Sequence, residues 1–109
     1  MKTHEHTIVV GEFIDGKLTK TKECGYSFIK PNDEFYTVKL YMNPASSFFL
    51  VKNKSNDMYT IYSRVERSSG EIRFKHPVGY GKLLENNKSY MQLKFHTPKT
   101  VMFMDLYAS

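Results

Sequence analysis

Cysteine is almost missing from this chain, since Cys24 is the only one among 109 residues. A single thiol excludes an intramolecular disulfide framework and a multi-thiolate metal site. No run of about 18 apolar residues could cross a membrane as a helix. The first residues also lack the apolar stretch that a secretory signal needs. These absences predict a cytoplasmic protein that does not insert into a membrane.

Helix-forming patterns are equally scarce. Alanine occurs only as Ala45 and Ala108, and no stretch repeats apolar residues at helical spacing over three turns. Instead, aromatic and β-branched residues alternate with polar ones in short runs that turn-forming residues separate. The sequence therefore predicts a single all-β domain over residues 1–109, a small antiparallel sandwich or barrel of about eight to ten strands.

Several turns and strand faces can be assigned from the sequence. Asp15-Gly16 and Ser68-Ser69-Gly70 each predict a hairpin turn, because glycine readily adopts positive φ. Alternation places Val38 and Leu40 on one strand face and Met91, Leu93 and Phe95 on another. The sequence also predicts separate strands at Leu18–Lys22 and Tyr26–Lys30, and an interruption at His76-Pro77, because proline cannot donate to a strand ladder.

The two halves of the chain resemble each other. An ungapped shift of 54 residues produces eight identities, several of them at turns: Glu12/Glu66, Gly16/Gly70, Gly25/Gly79, Tyr26/Tyr80, Asn32/Asn86, Tyr36/Tyr90, Pro44/Pro98 and Phe49/Phe103. This shift predicts an internal repeat of residues 1–55 and 56–109. With this shift, however, the inward residue Val38 aligns one position away from the inward residue Met91, and neighbouring residues of a strand point to opposite faces. Either a bulge or deletion separates the halves, or the likeness is superficial.

Catalytic and metal-binding patterns are not found. Cys24 has no cationic neighbour in sequence that would lower the pKa of its thiol. Glu12 and Glu66 could form a carboxylate pair at a pseudo-dyad, but the pattern equally fits two solvated hairpin residues. His4 and His6 could share a metal, although residues at a chain end are usually mobile. We predict a protein that is not an enzyme and that has no cofactor and no metal site.

The net charge and the aromatic content of the chain support the most specific functional prediction that the sequence allows. Sixteen Lys and Arg against eleven Asp and Glu give a formal net charge of +5 and a pI near 9.3. Single-stranded nucleic acid is commonly held by a cationic groove with aromatic stacking platforms. We therefore predict nucleic-acid contacts from cations on the two hairpins and from interleaved tyrosines. These residues are Lys17, Lys20, Lys22, Arg64, Arg67, Arg73, Lys75, Tyr41, Tyr62 and Tyr80.

A protein-interaction module is the alternative. A compact β domain without catalytic residues could serve as an adaptor, inhibitor or assembly component of a bacterial or phage-like system, with an edge strand pairing with another chain. The apolar run Phe48–Val51 and the closing strand Val101–Tyr107 are the candidate segments. The sequence leaves the oligomeric state and the identity of the partner open.

Overall fold

The computed structural model describes residues 5–31, 33–84, 90–96 and 99–106. Within these ranges the chain forms eight strands and no helix. The strands are β1 (Glu5–Ile14), β2 (Lys17–Phe28), β3 (Tyr36–Leu40), β4 (Phe48–Lys52), β5 (Tyr59–Ser68), β6 (Glu71–Leu83), β7 (Tyr90–His96) and β8 (Lys99–Asp105). The prediction of an all-β domain is confirmed.

The eight strands make one antiparallel sheet in which each strand pairs with the next and β8 pairs with β1. The register at the closing seam joins Ile8 to Met104 and Val9 to Phe103. Closure removes the free edges of the central sheet, which would otherwise offer unpaired backbone groups to other chains. The sheet is therefore a closed barrel, the second of the two architectures that alternation predicts.

The barrel interior is filled by apolar side chains from every second position of the strands. Its buried cluster consists of Ile8, Val38, Leu50, Ile61, Met91, Leu93, Phe95 and Met104. The predicted inward faces of β3 and β7 are thus confirmed, and Leu50 is the fully buried member of the apolar run in β4. The buried Ser27 hydroxyl donates to the Met104 sulfur at 2.8 Å, which satisfies a polar group inside this core.

The two longest hairpins of the sheet are β1–β2 and β5–β6. The β1–β2 hairpin turns at Asp15 and Gly16, with φ of 53° and 79°, and the β5–β6 hairpin turns at Ser69 and Gly70, with φ of 50° and 82°. Positive φ at both central residues is the type I′ geometry, whose twist matches that of the strands. Both predicted hairpin turns are therefore present.

The predicted strand breaks are bulges within continuous strands. Strand β2 runs through Cys24, where the register shifts between Ile8 and Val9, and β6 runs through Pro77, where it shifts between Ile61 and Tyr62. Proline is tolerated at a bulge because a bulge already interrupts the ladder of hydrogen bonds. The prediction of separate strands on either side of these positions was wrong.

The strand registers of the two halves correspond. Gly25 pairs with Leu40 as Gly79 pairs with Phe95, and Ile8 and Ile61 oppose Gly25 and Gly79. In this correspondence the inward residue Leu40 of β3 matches the inward residue Phe95 of β7, which lies one residue beyond the position that the shift of 54 assigns to it. A single inserted residue therefore accounts for the opposite parity. The internal repeat itself stays a prediction.

Some sequence expectations fall outside the described residues. These are the matches of Asn32 with Asn86 and of Pro44 with Pro98, the proposed role of His4, and the end of the closing strand at Tyr107. A search of the described ranges finds no helix long and apolar enough to cross a membrane.

Candidate functional site

Most of the hairpin cations predicted to bind nucleic acid form ion pairs with nearby carboxylates. Five pairs involve them: Lys20–Glu12 at 3.7 Å, Arg64–Glu66 at 3.3 Å, Arg67–Asp33 at 3.2 Å, Arg73–Glu71 at 3.3 Å and Lys75–Glu66 at 3.2 Å. Lys17 and Lys22 pair with no described carboxylate. A phosphate would have to compete with these carboxylates, so the hairpin cations attract a polyanion less than their number indicates.

The two sets of hairpin cations lie on opposite sides of the molecule. In the closed ring, β3 and β4 separate the hairpins on one side, and β7 and β8 separate them on the other. The outer half of the β5–β6 hairpin, with Arg67 and Phe74, packs against Asp33 and Phe35 in the segment before β3. The two hairpins are therefore separated in the ring and do not form one groove.

The three predicted tyrosines have three different environments. The Tyr41 hydroxyl donates to the Glu23 carboxylate at 2.5 Å. This hydrogen bond is the main cause that raises the pKa of Tyr41 to about 12. The Tyr62 ring stacks on Phe74, with centroids 5.5 Å apart, so it belongs to the packing of the second hairpin. Tyr80 lies beside two cations, Lys82 and Lys94, that have no described carboxylate partner.

Tyr80 lies on the outer surface of strands β6 and β7. Its neighbours Gly79 and Gly81 are buried, and a Cβ on Gly81 would contact core side chains, so the Tyr80 side chain points outward. Lys94 pairs directly with Tyr80 across the strands, and Gln92 pairs with Lys82. We call the outward residues Tyr80, Lys82, Gln92, Lys94 and His96 the β6–β7 face.

The β6–β7 face combines aromatic rings with uncompensated positive charge. The rings of Tyr80 and His96 lie 5.9 Å apart at 54°. Neither Lys82 nor Lys94 forms an ion pair with a described carboxylate. Sequence reasoning found Tyr80 but missed the two lysines and the histidine. Alternation marks them as outward, but only the β6–β7 register brings them beside the tyrosine.

A related arrangement occurs on strands β2 and β3. Tyr26 pairs with Lys39 there and stacks on Phe28, with ring centroids 6.0 Å apart at 23°. The ring of Tyr41 is 6.3 Å from that of Tyr26, and its hydroxyl holds the Glu23 carboxylate at this surface. A fixed carboxylate repels phosphate, so this face is less suited to nucleic acid than the β6–β7 face.

The catalytic candidates lie apart from one another. The Cys24 thiol donates to the Ile8 carbonyl at 3.5 Å, and burial, followed by the charge of Glu23, raises the pKa of this thiol and disfavours the reactive thiolate. Glu12 and Glu66 lie on opposite hairpins and pair with cations there. Among the described residues, no group of three His, Cys, Asp or Glu side chains could hold a metal ion.

Comparisons with known proteins find no matching family model, no matching curated protein and no matching solved structure.

Proposed function

We propose that the chain is a non-catalytic cytoplasmic domain that binds single-stranded nucleic acid on the β6–β7 face. The observation that carries the proposal is Tyr80 between two lysines, Lys82 and Lys94, that no described carboxylate neutralises. An exposed edge of Tyr80 would stack on a base, while the lysines would contact the phosphates on either side. Gln92 and His96 would add hydrogen bonds without strong base preference.

The expected salt dependence of binding follows from the number of lysines that contact phosphates. Two phosphate contacts on a single strand give a salt slope of about −1.4, so the affinity should fall roughly sevenfold between about 50 mM and about 200 mM salt. Losing one of the two lysines should halve that slope, which leaves a roughly threefold fall over the same range.

Fluorescence anisotropy with a labelled single strand of about 16 nucleotides tests the proposal. Tyr80→Ala should weaken binding by about fivefold to a hundredfold, because a stacked base contributes about 1–3 kcal/mol. Lys94→Gln should reduce both the affinity and the salt slope. Lys20→Gln is the matched control, since it removes the same charge from the opposite hairpin and should leave the affinity unchanged.

Two results would reject the proposal. One is negligible binding at about 50 mM salt. The other is equal weakening by Lys20→Gln and Lys94→Gln, because that would indicate attraction by the overall charge of the protein and not by this face.

A further inference from the structure

An open groove of about 740 Å³ lies between the outer half of the β5–β6 hairpin and the end of β4. The residues that line it are Glu34, Phe35, Val51, Lys52, Asn53, Lys54, Ile72 and Phe74. Four of these side chains are apolar, and Ile72 remains 41% exposed at the hairpin wall. The groove therefore has an apolar lining that this chain leaves partly uncovered.

The walls of the groove are held in place before any partner binds. Phe35 is 4% exposed, and its ring contacts Phe74 and Phe49 edge-to-face, with centroids 4.9 and 6.0 Å away. The Arg67 guanidinium lies over the Phe35 ring at 5.7 Å and donates to both oxygens of Asp33. A groove that is already ordered loses little conformational entropy when it is filled.

The rim of the groove carries uncompensated cations. Lys52 and Lys54 form no ion pair with a described carboxylate, and Glu34 is the single acidic residue of the lining. Hydrogen bonds from Thr60 and from the backbone amide of Asn53 hold the segment between the two lysines. The groove thus favours an apolar ligand that carries a carboxylate.

The tip of the β1–β2 hairpin offers exposed apolar side chains and one carboxylate, with the ammonium group of Lys17 beside Ile14 across the strands. Phe13 is 39% exposed and Ile14 is 48% exposed, although both are large apolar residues. Asp15 follows them at the first turn position and pairs with no described cation. The Phe13 ring packs edge-to-face on Phe103, with centroids 5.1 Å apart, so the type I′ turn presents Ile14 and Asp15 as the side chains that can enter an open groove.

The tip cannot reach the groove of its own molecule, because the two hairpins lie on opposite sides of the ring. We propose that the β1–β2 tip of one copy docks into the β5–β6 groove of a second copy, with Ile14 among the groove's apolar side chains and Asp15 beside Lys52 and Lys54. Such an interface joins two different surfaces, so each copy keeps one free tip and one free groove. Association is therefore head-to-tail and can continue beyond a dimer.

Sedimentation velocity of the full chain without nucleic acid, between about 10 μM and about 1 mM, tests the inference. The wild-type protein should show a weight-average sedimentation coefficient that rises with concentration. Ile14→Asp in the tip and Ile72→Asp in the groove should each weaken association by at least about tenfold. Met42→Asp is the matched control, because Met42 is an exposed apolar residue that belongs neither to the hairpin tip nor to the lining of the groove, and its replacement should change nothing.

Mixing the two defective variants gives the sharpest result. The Ile14→Asp variant keeps an intact groove and the Ile72→Asp variant keeps an intact tip, so an equimolar mixture should form a discrete dimer that cannot extend. The double variant Lys52→Glu/Lys54→Glu, which alters only the rim and leaves the apolar packing intact, should also weaken association.

Three outcomes would overturn the inference. The wild-type protein could remain monomeric up to about 1 mM. Either aspartate variant could associate as the wild type does. The mixture could fail to form a dimer although each variant retains the wild-type circular dichroism spectrum. None of these results depends on nucleic-acid binding, so the two proposals can fail separately.

Discussion

Two glycines allow neighbouring strands to approach closely in the barrel wall. A Cβ on Gly79 would lie 2.1 Å from the Lys94 carbonyl oxygen, and one on Gly25 would lie 2.3 Å from the Lys39 carbonyl oxygen. Both obstacles are backbone atoms of a paired strand, which cannot move without disturbing the sheet. A side chain at either position would therefore distort the ladder.

We expect Gly79→Ala to lower the free energy of unfolding by about 1–3 kcal/mol, because the added methyl group overpacks this site. Gly81→Ala is the matched control on the same strand: the three atoms nearest to its Cβ would be side-chain atoms of Leu50, Leu93 and Met91, at 3.0–3.2 Å, and side chains can adjust. Urea denaturation measures both. An equal loss for the two variants would contradict the role assigned to the close approach.

The hydrogen bond between Tyr41 and Glu23 predicts that this tyrosine loses its proton only at high pH. The pKa of Tyr41 is raised to about 12, first through this hydrogen bond. Because the pKa of Tyr41 is raised in the folded state, the stabilising effect of this hydrogen bond is complete below the ordinary tyrosine pKa of about 10. The effect is lost as the pH rises through about 12. In an ultraviolet absorbance titration, Glu23→Gln should move this late ionisation toward about 10, and Tyr41→Phe should remove it. A late ionisation that persists in Tyr41→Phe would assign it to another tyrosine.

At the scale of the strands, one ion pair anchors the second hairpin to the barrel. The Asp33 carboxylate is 6% exposed and accepts two hydrogen bonds of 3.2 Å from Arg67. Removing the guanidinium would leave this buried carboxylate without its partner, which costs more than losing an exposed pair.

Arg67→Ala should therefore lower the free energy of unfolding by about 1–3 kcal/mol and speed hydrogen exchange in the outer half of β5 and β6. Arg73→Ala removes the exposed pair with Glu71 and should cost about 0.5 kcal/mol or less. Arg67→Lys should recover only part of the loss, because an ammonium group lacks the planar guanidinium that lies over the Phe35 ring. Unchanged exchange in Arg67→Ala would show that the aromatic packing of Phe35 and Phe74 alone holds the hairpin.

The strands show where local sequence patterns stop being informative. Alternation predicts the inward faces of β3 and β7, and the Gly16 and Gly70 signals predict both turns, because these features depend on residues close in sequence. The same reasoning divides β2 and β6 into separate strands. A bulge and a chain break look alike in sequence, and only the partner strand determines whether the pairing resumes.

Considered as a whole, the molecule has a single core to which both halves contribute. Ile8 and Ile61 are fully buried, oppose Gly25 and Gly79 respectively, and belong to one hydrophobic cluster. The seams between β4 and β5 and between β8 and β1 join the halves on both sides. Neither half can therefore lose its packing without exposing the core of the other.

We expect Ile8→Ala and Ile61→Ala to lower the free energy of unfolding by similar amounts, about 2–5 kcal/mol each. Tyrosine fluorescence and far-ultraviolet circular dichroism should report coincident single transitions. Val101→Ala, at a partly exposed position, should change stability by no more than about 0.5 kcal/mol. Two separated transitions in either isoleucine variant would indicate that the halves unfold independently.

Composition and local pattern are enough to establish an all-β chain, the positions of its two tightest turns and the inward faces of β3 and β7, because each of these depends on the intrinsic preferences of adjacent residues. The Arg67–Asp33 ion pair, the placement of Lys82 and Lys94 beside Tyr80, and the groove that Ile72 lines depend on which segments the fold brings together. The tertiary structure creates those contacts, through the register of β6 with β7 and through the packing of the β5–β6 hairpin against the segment before β3. It determines which strands are neighbours and therefore which charges meet, and neither net charge nor alternation contains that information.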